Sequence, residues 1–369
     1  MQTIIAFFGH LDPREQNSRH DFCEMLFIVI AATLCGAGNC TDYWRFAQEK
    51  EVMLRQVLRL AHGIPSHDTF SALFRYMDPK AFAAAFSGFT RAFAAAAASG
   101  PRHIAIDGKA MRGAFDTGQA FAPRMLVSAW GREVRMTLAV EPAERGNEVA
   151  AALRLLATLD LKGATVTADA LHCTPQTAAM VTQRGGDYVL ALKGNQLELQ
   201  ASAQTLAAST VTPARHVATT EETAHGRHER RTARVIAAPR LARKHGFPGL
   251  VAIAEVERVR VLKDKCGREK HQQETWLYVL SRPMTAVELL DVVRGHWDIE
   301  NGSHWGLDVV FKEDACRTRK DHGAENLAIV RRICANTLRA DSKTDTIRGK
   351  MIRASWSEPY LFKLMTQMR

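Results

Sequence analysis

The sequence predicts a mixed α/β fold preceded by an all-α segment, and two observations support this. The first hundred residues consist of apolar-periodic segments separated by Gly and Pro, which is typical of short helices. After Pro101 the pattern changes to short β-rich runs that alternate with amphipathic stretches. The length of 369 residues accommodates about two or three domains. We therefore expect an all-α N-terminal domain over residues 1–100 and a mixed α/β domain over residues 101–369.

Four helices are predicted in the N-terminal domain. They are expected near residues 20–38, 41–62, 67–76 and 79–99. Ser66 is the expected N-cap of the third helix, because its hydroxyl can accept a hydrogen bond from a backbone N–H of the first turn. The apolar run from Met25 to Ala37 is shorter than the roughly 18 residues that a membrane span needs. We therefore expect a buried helix there and no association with a membrane.

The order of elements after Pro101 predicts an RNase H-like domain. Three neighbouring strands are expected at residues 103–107, 124–130 and 133–141, the last two forming a hairpin. Further strands are expected at residues 164–170 and 187–193, with helices near residues 149–159, 175–184 and 196–208. This alternation indicates a mixed sheet with helices packed on both faces.

A β-rich insertion is predicted at about residues 213–283, where three β-rich stretches interrupt the alternation. Helices resume from about residue 285 and include the block around Glu300 and an amphipathic stretch over residues 324–340. Three arginines of that stretch are assigned to its polar side and expected to face solvent. They are Arg331, Arg332 and Arg339.

Charge and cysteine usage restrict the class of partner and of site. The formal net charge of +10 favours a polyanionic partner, because Lys and Arg displace the counterions condensed on a phosphate backbone. The seven cysteines are scattered and contain no C-x-x-C pair, which argues against both a disulfide framework and a thiolate zinc site. A reduced compartment and a nucleic-acid partner are the resulting expectations.

Acidic residues at the ends of two predicted strands indicate a magnesium site. Asp107 ends the strand in HIAIDGKAMRG and Asp169 ends the strand in GATVTADALHC. These aspartates would lie side by side if the two strands are neighbours, and Glu300 from the downstream helical block could complete the set. Magnesium prefers oxygen ligands and keeps several waters, so a few carboxylates suffice. Such ions can support in-line displacement at a phosphodiester.

Two other interpretations of these residues remain open. An aspartate at a strand end often caps the next turn or pairs with a nearby cation such as Lys109. In RGHWDIENGSHW, His296, Glu300 and His304 are spaced by four and could share a helical face, as in a zinc hydrolase. Asp308, Glu313 and Asp314 also lie close enough in sequence to Glu300 to compete for the role of third ligand.

Basic, amide and aromatic side chains near these carboxylates are candidates for contact with DNA. Lys193 and Asn195 flank a turn directly after a strand, where a lysine can meet a phosphate. Aromatic and His side chains near a metal could stack on an unpaired base. The complete set of candidates is Lys109, Lys193, Asn195, Arg227, Arg294, His296, Trp297, His304 and Lys312.

Several longer motifs resemble one family over nearly the whole chain. They are GIPSHDTFSALF, AIDGKAMRG, VTADALHC, GGDYVLALKGNQ, HGRHERR, RGHWDIENGSHWGLDVVFKEDACRTR and AENLAIVRR. The chain is similar to bacterial insertion-sequence DDE transposases of the H-repeat-associated, or ISAs-type, family. The motifs occur in the order in which that family carries them.

The resemblance implies an RNase H-like catalytic domain in which Asp107, Asp169 and Glu300 match the catalytic acidic positions. It implies Mg²⁺, with Mn²⁺ able to substitute, for cleavage at the ends of a mobile element and for strand transfer into target DNA. The implied partners are double-stranded DNA, as terminal inverted repeats and as target, and further copies of the chain on that DNA. The implied location is the bacterial cytoplasm, at the nucleoid.

The chain also departs from related enzymes around the glutamate. They carry a Tyr, Arg, Glu, Lys signature, whereas His296 stands here in place of the Arg and Leu307 in place of the Lys. Ser303 and Gly306 stand where a Leu and a Val are usual. Arg294, His296 or Lys312 could take over the handling of phosphate. The alternative function is a catalytically inactive, transposase-derived DNA-binding protein.

Overall fold

The computed structural model describes residues 2–14, 18–95, 102–114, 124–224, 227–263 and 269–367. The chain forms two compact units. The first comprises Met1–Gly100, Gly108–Thr158 and Glu300–Arg369, and the second comprises Pro101–Asp107 and Leu159–Ile299.

The first hundred residues contribute six helices to the first unit within their described part. These are α1 (Gln2–Phe8), α2 (Phe22–Leu34), α3 (Cys40–Glu49), α4 (Glu51–Leu54), α5 (His67–Tyr76) and α6 (Pro79–Ala95). The predicted cap of α5 is confirmed, since the Ser66 hydroxyl accepts a hydrogen bond from the Thr69 N–H. The prediction of one helix over residues 41–62 is wrong, because α3 ends at Glu49, Lys50 has non-helical angles (φ of −110° and ψ of 19°), and α4 ends at Leu54.

The α2 helix forms the centre of the first unit, and its predicted burial is confirmed. Every residue of Phe22–Leu34 except Glu24 is buried. The Asp21 side chain caps the helix by accepting a hydrogen bond from the Glu24 N–H. A helix that is apolar all round belongs in a core, and burial of one such large side chain contributes about 1.5–3 kcal/mol.

The remaining elements of the first unit lie in two later parts of the chain. They are strands β2 (Met125–Gly131) and β3 (Met136–Ala143), helix α7 (Glu148–Thr158), the π-helix Ile299–His304, and helices α12 (Trp305–Val309), α13 (Gly323–Ala340), α14 (Ile347–Trp356) and α15 (Glu358–Gln367). The antiparallel β2–β3 pair shifts register between Ala129 and Trp130. Helix α13 packs against α2, α5, α6 and β3, and the Asn336 side chain hydrogen-bonds both to the N–H and to the C=O of Thr137.

The expectation that three arginines of α13 face solvent is wrong. Arg331 and Arg332 are only 3% and 1% exposed. Their guanidinium groups bind partners from other parts of the first unit: Arg331 donates to the Gly38 carbonyl, and Arg332 pairs with Glu313. Arg339 donates to the carbonyl oxygen of Gly302. These partners offset the cost of removing the charged groups from water.

The second unit is built on a mixed sheet. Its strands are β1 (His103–Ala110), whose last residues belong to the first unit, β4 (Thr165–Ala168), β5 (Asp187–Leu192), β6 (Val217–Ala224), β7 (Arg227–Ala237), β8 (Ala252–Lys263) and β9 (Glu269–Leu280). The hydrogen-bonded order is β1-β4-β5-β9-β8-β7-β6. The β1–β4 and β4–β5 pairs are parallel and the others antiparallel. The predicted mixed α/β class is therefore confirmed.

Helices α8 (Pro175–Gln183), α9 (Leu197–Ser209), α10 (Pro239–His245) and α11 (Ala286–His296) complete the second unit. The predicted β-rich insertion contains four strands, β6 to β9, and the short helix α10. Its β9 strand pairs with β5, so the insertion extends the same sheet. Cross-strand ion pairs join the insertion strands, among them Arg234 with Glu255 and Arg258 with Glu274.

Two findings bear on the class of protein. None of the described helices is long and apolar enough to cross a membrane. The cysteines of the described part are free thiols. They are Cys23, Cys35, Cys40, Cys173, Cys316 and Cys334.

Candidate active site

Asp107 and Asp169 lie level with each other on adjacent parallel segments. In the β1–β4 register, Ile106 is level with Ala168, so Asp107 within β1 is level with Asp169 directly after β4. The prediction that Asp107 ends its strand is wrong, because β1 continues to Ala110. The Asp169 side chain is 51% exposed, and its Oδ1 accepts a hydrogen bond from the Leu171 N–H at 3.1 Å. Asp169 therefore caps the following turn and is still exposed to solvent. One hydrogen bond leaves most of its carboxylate lone pairs available for another ligand.

A cavity of about 100 Å³ opens beside Asp169. Lys193 lines it from the end of β5, and the aromatic residues Trp276 and Tyr278 line it from β9. His296 and Trp297 close it at the end of α11. Trp297 is 43% exposed, so one side chain with a large apolar face stands at the rim. A carboxylate, a cation and aromatic rings thus share one small concavity.

The His296 imidazole, which lines this cavity, is in its neutral form at pH 7. Its Nδ1 lies 3.1 Å from the Thr167 hydroxyl, and the same hydroxyl lies 2.8 Å from Nε2 of the buried His103. Burial lowers the pKa of His296 to about 4, against the opposing influence of the Asp169 carboxylate. The residue that replaces the arginine of the related signature is therefore an uncharged hydrogen-bonding group at neutral pH.

A second histidine lies against Asp169 and was not among the predicted site residues. His172 is 1% exposed, and its Nε2 lies 3.9 Å from Asp169 Oδ1. Neither ring nitrogen has a hydrogen-bond partner within the described residues. Burial lowers the pKa of His172, and Asp169 opposes that shift. The only sequence signal for a role of His172 at the site is its position three residues after Asp169.

Glu300 lies in a π-helix and not in the regular α-helix that the spacing predicted. The π-helix Ile299–His304 follows α11, and its widened turn accommodates an extra residue. Glu300 is exposed. The i, i+4 spacing behind the zinc interpretation therefore fails locally, because π-helical turns do not stack residues four apart. Burial lowers the pKa of His304 to about 3, with Arg332 and Lys109 acting in the same direction.

The other acidic residues near Glu300 in sequence are engaged elsewhere in the first unit. Asp308 and Asp314 both pair with the Lys109 ammonium, at 2.7 and 3.2 Å. Burial raises the pKa of Asp308, although Lys109 acts against that rise. Glu313 pairs with Arg332 at 2.9 Å, and both side chains are 1% exposed. Lys109, 7% exposed, is thus a structural cation and offers little surface to DNA.

The remaining DNA-contact candidates differ in how far other residues already engage them. Asn195 is occupied by local structure, since its amide donates to the carbonyl oxygens of Ala170 and Cys173. Arg294 is exposed but pairs with Glu222 at 2.8 Å, and that hydrogen bond raises the pKa of Arg294. Lys193 and Lys312 are exposed. The backbone of Arg227 begins β7, while its side chain lies outside the described part of the structure.

No three His, Cys, Asp or Glu side chains are gathered closely enough to hold a metal ion within the described residues. The convergence of Asp107, Asp169 and Glu300 accordingly stays a prediction. The donor chemistry of the aspartate pair nevertheless fits a hard divalent cation: two carboxylates on neighbouring strands, one of them half exposed, supply the oxygen ligands that Mg²⁺ prefers.

Comparison with known proteins identifies related chains. A family described as "Transposase DDE domain" matches residues 98–337, and one described as "DDE_Tnp_1-associated" matches residues 6–90. The chain is 29% identical over 352 residues to "H repeat-associated putative transposase YhhI" of Escherichia coli strain K12, covering 94% of this chain and 92% of that protein.

Two further relatives extend the comparison. "Putative transposase YncI" of Escherichia coli O157:H7 is 30% identical over 346 residues, covering 92% of this chain and 88% of that protein. The "Uncharacterized protein in dhlA 3'region" of Xanthobacter autotrophicus is 36% identical over 266 residues, covering 70% and 89%. The motifs, the mixed sheet and these matches lead to one conclusion: the chain belongs to the DDE transposases, in the H-repeat-associated family.

Proposed function

We propose that this transposase cleaves DNA at the ends of an insertion sequence, and that the freed 3′-hydroxyl then attacks a phosphodiester of target DNA and displaces the target's own 3′-oxygen. Asp107, Asp169 and Glu300 would hold divalent metal in this reaction. The observation that supports the proposal is the parallel register of β1 and β4, in which Asp107 is level with Asp169. Membership of the transposase family supplies the substrate class.

Glu300 is the best third ligand because its competitors are engaged. Asp308 and Asp314 both form ion pairs with Lys109, and Glu313 forms a buried ion pair with Arg332. Glu300 is exposed and lies in a π-helix, an element found frequently at functional sites.

Four side chains that line the cavity beside Asp169, together with Asp107, have distinct proposed roles. Bound Mg²⁺ or Mn²⁺ would supply Lewis-acid stabilisation of the attacking and leaving oxygens. The Asp107 and Asp169 carboxylates would fix the position of the metal ion. Lys193 would bind a phosphate oxygen near the scissile bond. Neutral His296 can hydrogen-bond to DNA or hold Thr167 without adding a charge. Trp297 offers its ring to an adjacent sugar or base.

The RNase H-like architecture is part of the proposal. It is supported by the parallel pairing of β1 with β4 and of β4 with β5 in the second unit and by the alternation of strands and helices along the chain. The β-rich insertion then follows β5 and precedes the segment that carries Glu300. We further propose that the protein acts as a homo-oligomer on paired element ends, in the bacterial cytoplasm at the nucleoid.

The deciding experiment is cleavage of labelled duplex DNA that carries the inverted repeats flanking the gene. Wild-type protein should cut at the element boundary with Mg²⁺ or Mn²⁺, and Asp169→Ala should lose cutting while it retains DNA binding. Asp160→Ala is the matched control, because Asp160 is an exposed acid whose Oδ1 accepts a hydrogen bond from the Lys162 N–H. Cutting by Asp169→Ala at the wild-type rate would refute the assignment.

The same assay separates the alternative function. Folded wild-type protein that binds the repeats but cuts with neither metal would establish a catalytically inactive, transposase-derived DNA-binding protein.

A further inference from the structure

Arg339 of α13 occupies an unusual electrostatic environment. Burial lowers the pKa of its guanidinium to about 10, and the charged groups that act on it, Arg135 and Arg332, lower it further. Its Nη1 atom is buried without a hydrogen-bond partner in the described part of the chain. A half-buried guanidinium whose charged neighbours are also cations costs folding free energy. This cost points to a structural role for its contacts.

The contacts of Arg339 lead to the π-helix that carries Glu300. Its Nη2 donates a hydrogen bond to the carbonyl oxygen of Gly302, the middle of the π-helix Ile299–His304. Its guanidinium also lies over the ring of Trp130, 4.8 Å from the centroid. All of these groups belong to the first unit.

Trp130 and Gly302 fit each other closely. Trp130 is 2% exposed and sits at the register shift between Ala129 and Trp130 in the β2–β3 pair, and such a bulge re-aims a side chain. A Cβ added at Gly302 would lie 3.1 Å from Trp130 Cζ2. The indole therefore packs directly on the backbone of the π-helix, and a side chain at position 302 would have to push it away by a few tenths of an ångström.

The register shift at Trp130 and the π-helical turn at Gly302 are thus in contact with each other, and Arg339 contacts both residues. A π-helical turn is intrinsically rare and has to be held by its surroundings. Here one face of Gly302 is covered by an aromatic ring, and its carbonyl oxygen is bound by a charged donor, which makes a stronger hydrogen bond than a neutral one. Both constraints act two residues from Glu300.

We propose that Arg339 and Trp130 are positioning residues that hold the π-helix in the conformation that presents Glu300. Neither needs to touch DNA or metal. The role assigned to Glu300 rests on the proposed function, whereas the locking of the π-helix does not.

The test compares Arg339→Met with Arg331→Met in the full-length protein. Arg331 is a matched control, because it is a buried arginine of the same helix whose guanidinium also donates to a glycine carbonyl, that of Gly38. Two properties are measured: Mn²⁺ affinity by electron paramagnetic resonance, and hydrogen exchange of the backbone amides over residues 299–304. Thermal unfolding records how far each variant is destabilised.

Arg339→Met should weaken Mn²⁺ binding about tenfold, the lower end of the range for loss of outer-shell support, and should accelerate exchange over the π-helix. Arg331→Met should leave both within about twofold of wild type at a similar loss of melting temperature. Arg339→Lys should restore part of the affinity, since lysine keeps a donor but loses the planar stack. If Arg339→Met does not fold, Arg339→Lys and Trp130→Phe are compared with Arg331→Met by the same two measurements.

Equal effects of the Arg339 and Arg331 variants on both measurements would overturn the proposal. Exchange that accelerates over the π-helix only in the Arg339 variants, together with weaker Mn²⁺ binding, would establish it. Failure of the proposed function looks different: wild-type protein would then bind Mn²⁺ no better than Asp169→Ala, while the exchange comparison would still decide whether Arg339 locks the π-helix.

Discussion

Replacing Glu313 and Glu300 separately by glutamine should separate a structural carboxylate from a functional one. Glu313 and Arg332 are each 1% exposed and lie 2.9 Å apart. Arg332 donates to Glu313 through Nη1, and its Nε and Nη2 atoms have no hydrogen-bond partner within the described residues. Glu313→Gln therefore leaves a buried guanidinium without its counter-charge, whereas Glu300→Gln changes an exposed side chain.

The magnitude follows from burial. Removing one partner of a buried ion pair typically costs about 3–5 kcal/mol, because the remaining charge stays desolvated. For a cooperative unit of this size each kcal/mol lowers the melting temperature by roughly 2–4 °C, so Glu313→Gln should lower it by about 6–20 °C. Glu300→Gln should change stability by no more than about 0.5 kcal/mol, the usual range for surface positions.

Calorimetric or fluorescence-detected melting, paired with Mn²⁺ titration of the same samples, measures both properties. Glu313→Gln should melt early yet bind Mn²⁺ normally below its transition, and Glu300→Gln should melt normally yet bind Mn²⁺ weakly. The double variant Glu313→Leu with Arg332→Met should recover much of the lost stability, since no charge remains buried. A Glu313→Gln protein as stable as wild type, or one with impaired Mn²⁺ binding at low temperature, would contradict the assignment of these two carboxylates.

Two further predictions concern pH and salt. The pKa of His304 falls from 6.5 to about 3 on folding, so the unfolded chain takes up the proton first and stability should be lost as pH drops through that interval; a His304→Gln protein should show a shallower acid dependence in urea titrations, and an unchanged slope would speak against this. Lys193→Gln should reduce the slope of log affinity for DNA against log salt by about 1. Lys162→Gln, an exposed lysine that precedes β4, should leave the slope as in wild type.

The sequence predicted those parts of the fold that local patterns determine. Alternation of strands and helices indicated the mixed sheet, and the order of elements placed Asp107 and Asp169 on candidate neighbouring strands, which the β1–β4 register bears out. The apolar run around α2 indicated a buried helix because its side chains are apolar on every face.

Features that depend on distant partners were beyond the sequence. A helical pattern assigned Arg331, Arg332 and Arg339 to a solvated face, since nothing near them in sequence announces the carbonyl of Gly38 or the stack on Trp130. The π-helix left no signal either, because one widened turn preserves helical composition. Trp276 and Tyr278 alternate along β9 as any half-buried strand residues would, so their place beside Asp169 emerges only from the pairing of β9 with β5.

The β6 strand has a consequence for how copies of this protein can come together. It ends the hydrogen-bonded strand order, and an outermost strand is a template on which another chain can add a strand of its own. Here the strand carries Glu221 and Glu222, which engage His228 and Arg294. A second copy arriving edge to edge would bring identical glutamates against these, so the charges discourage fibre-like growth along the sheet and leave other surfaces to any assembly on DNA.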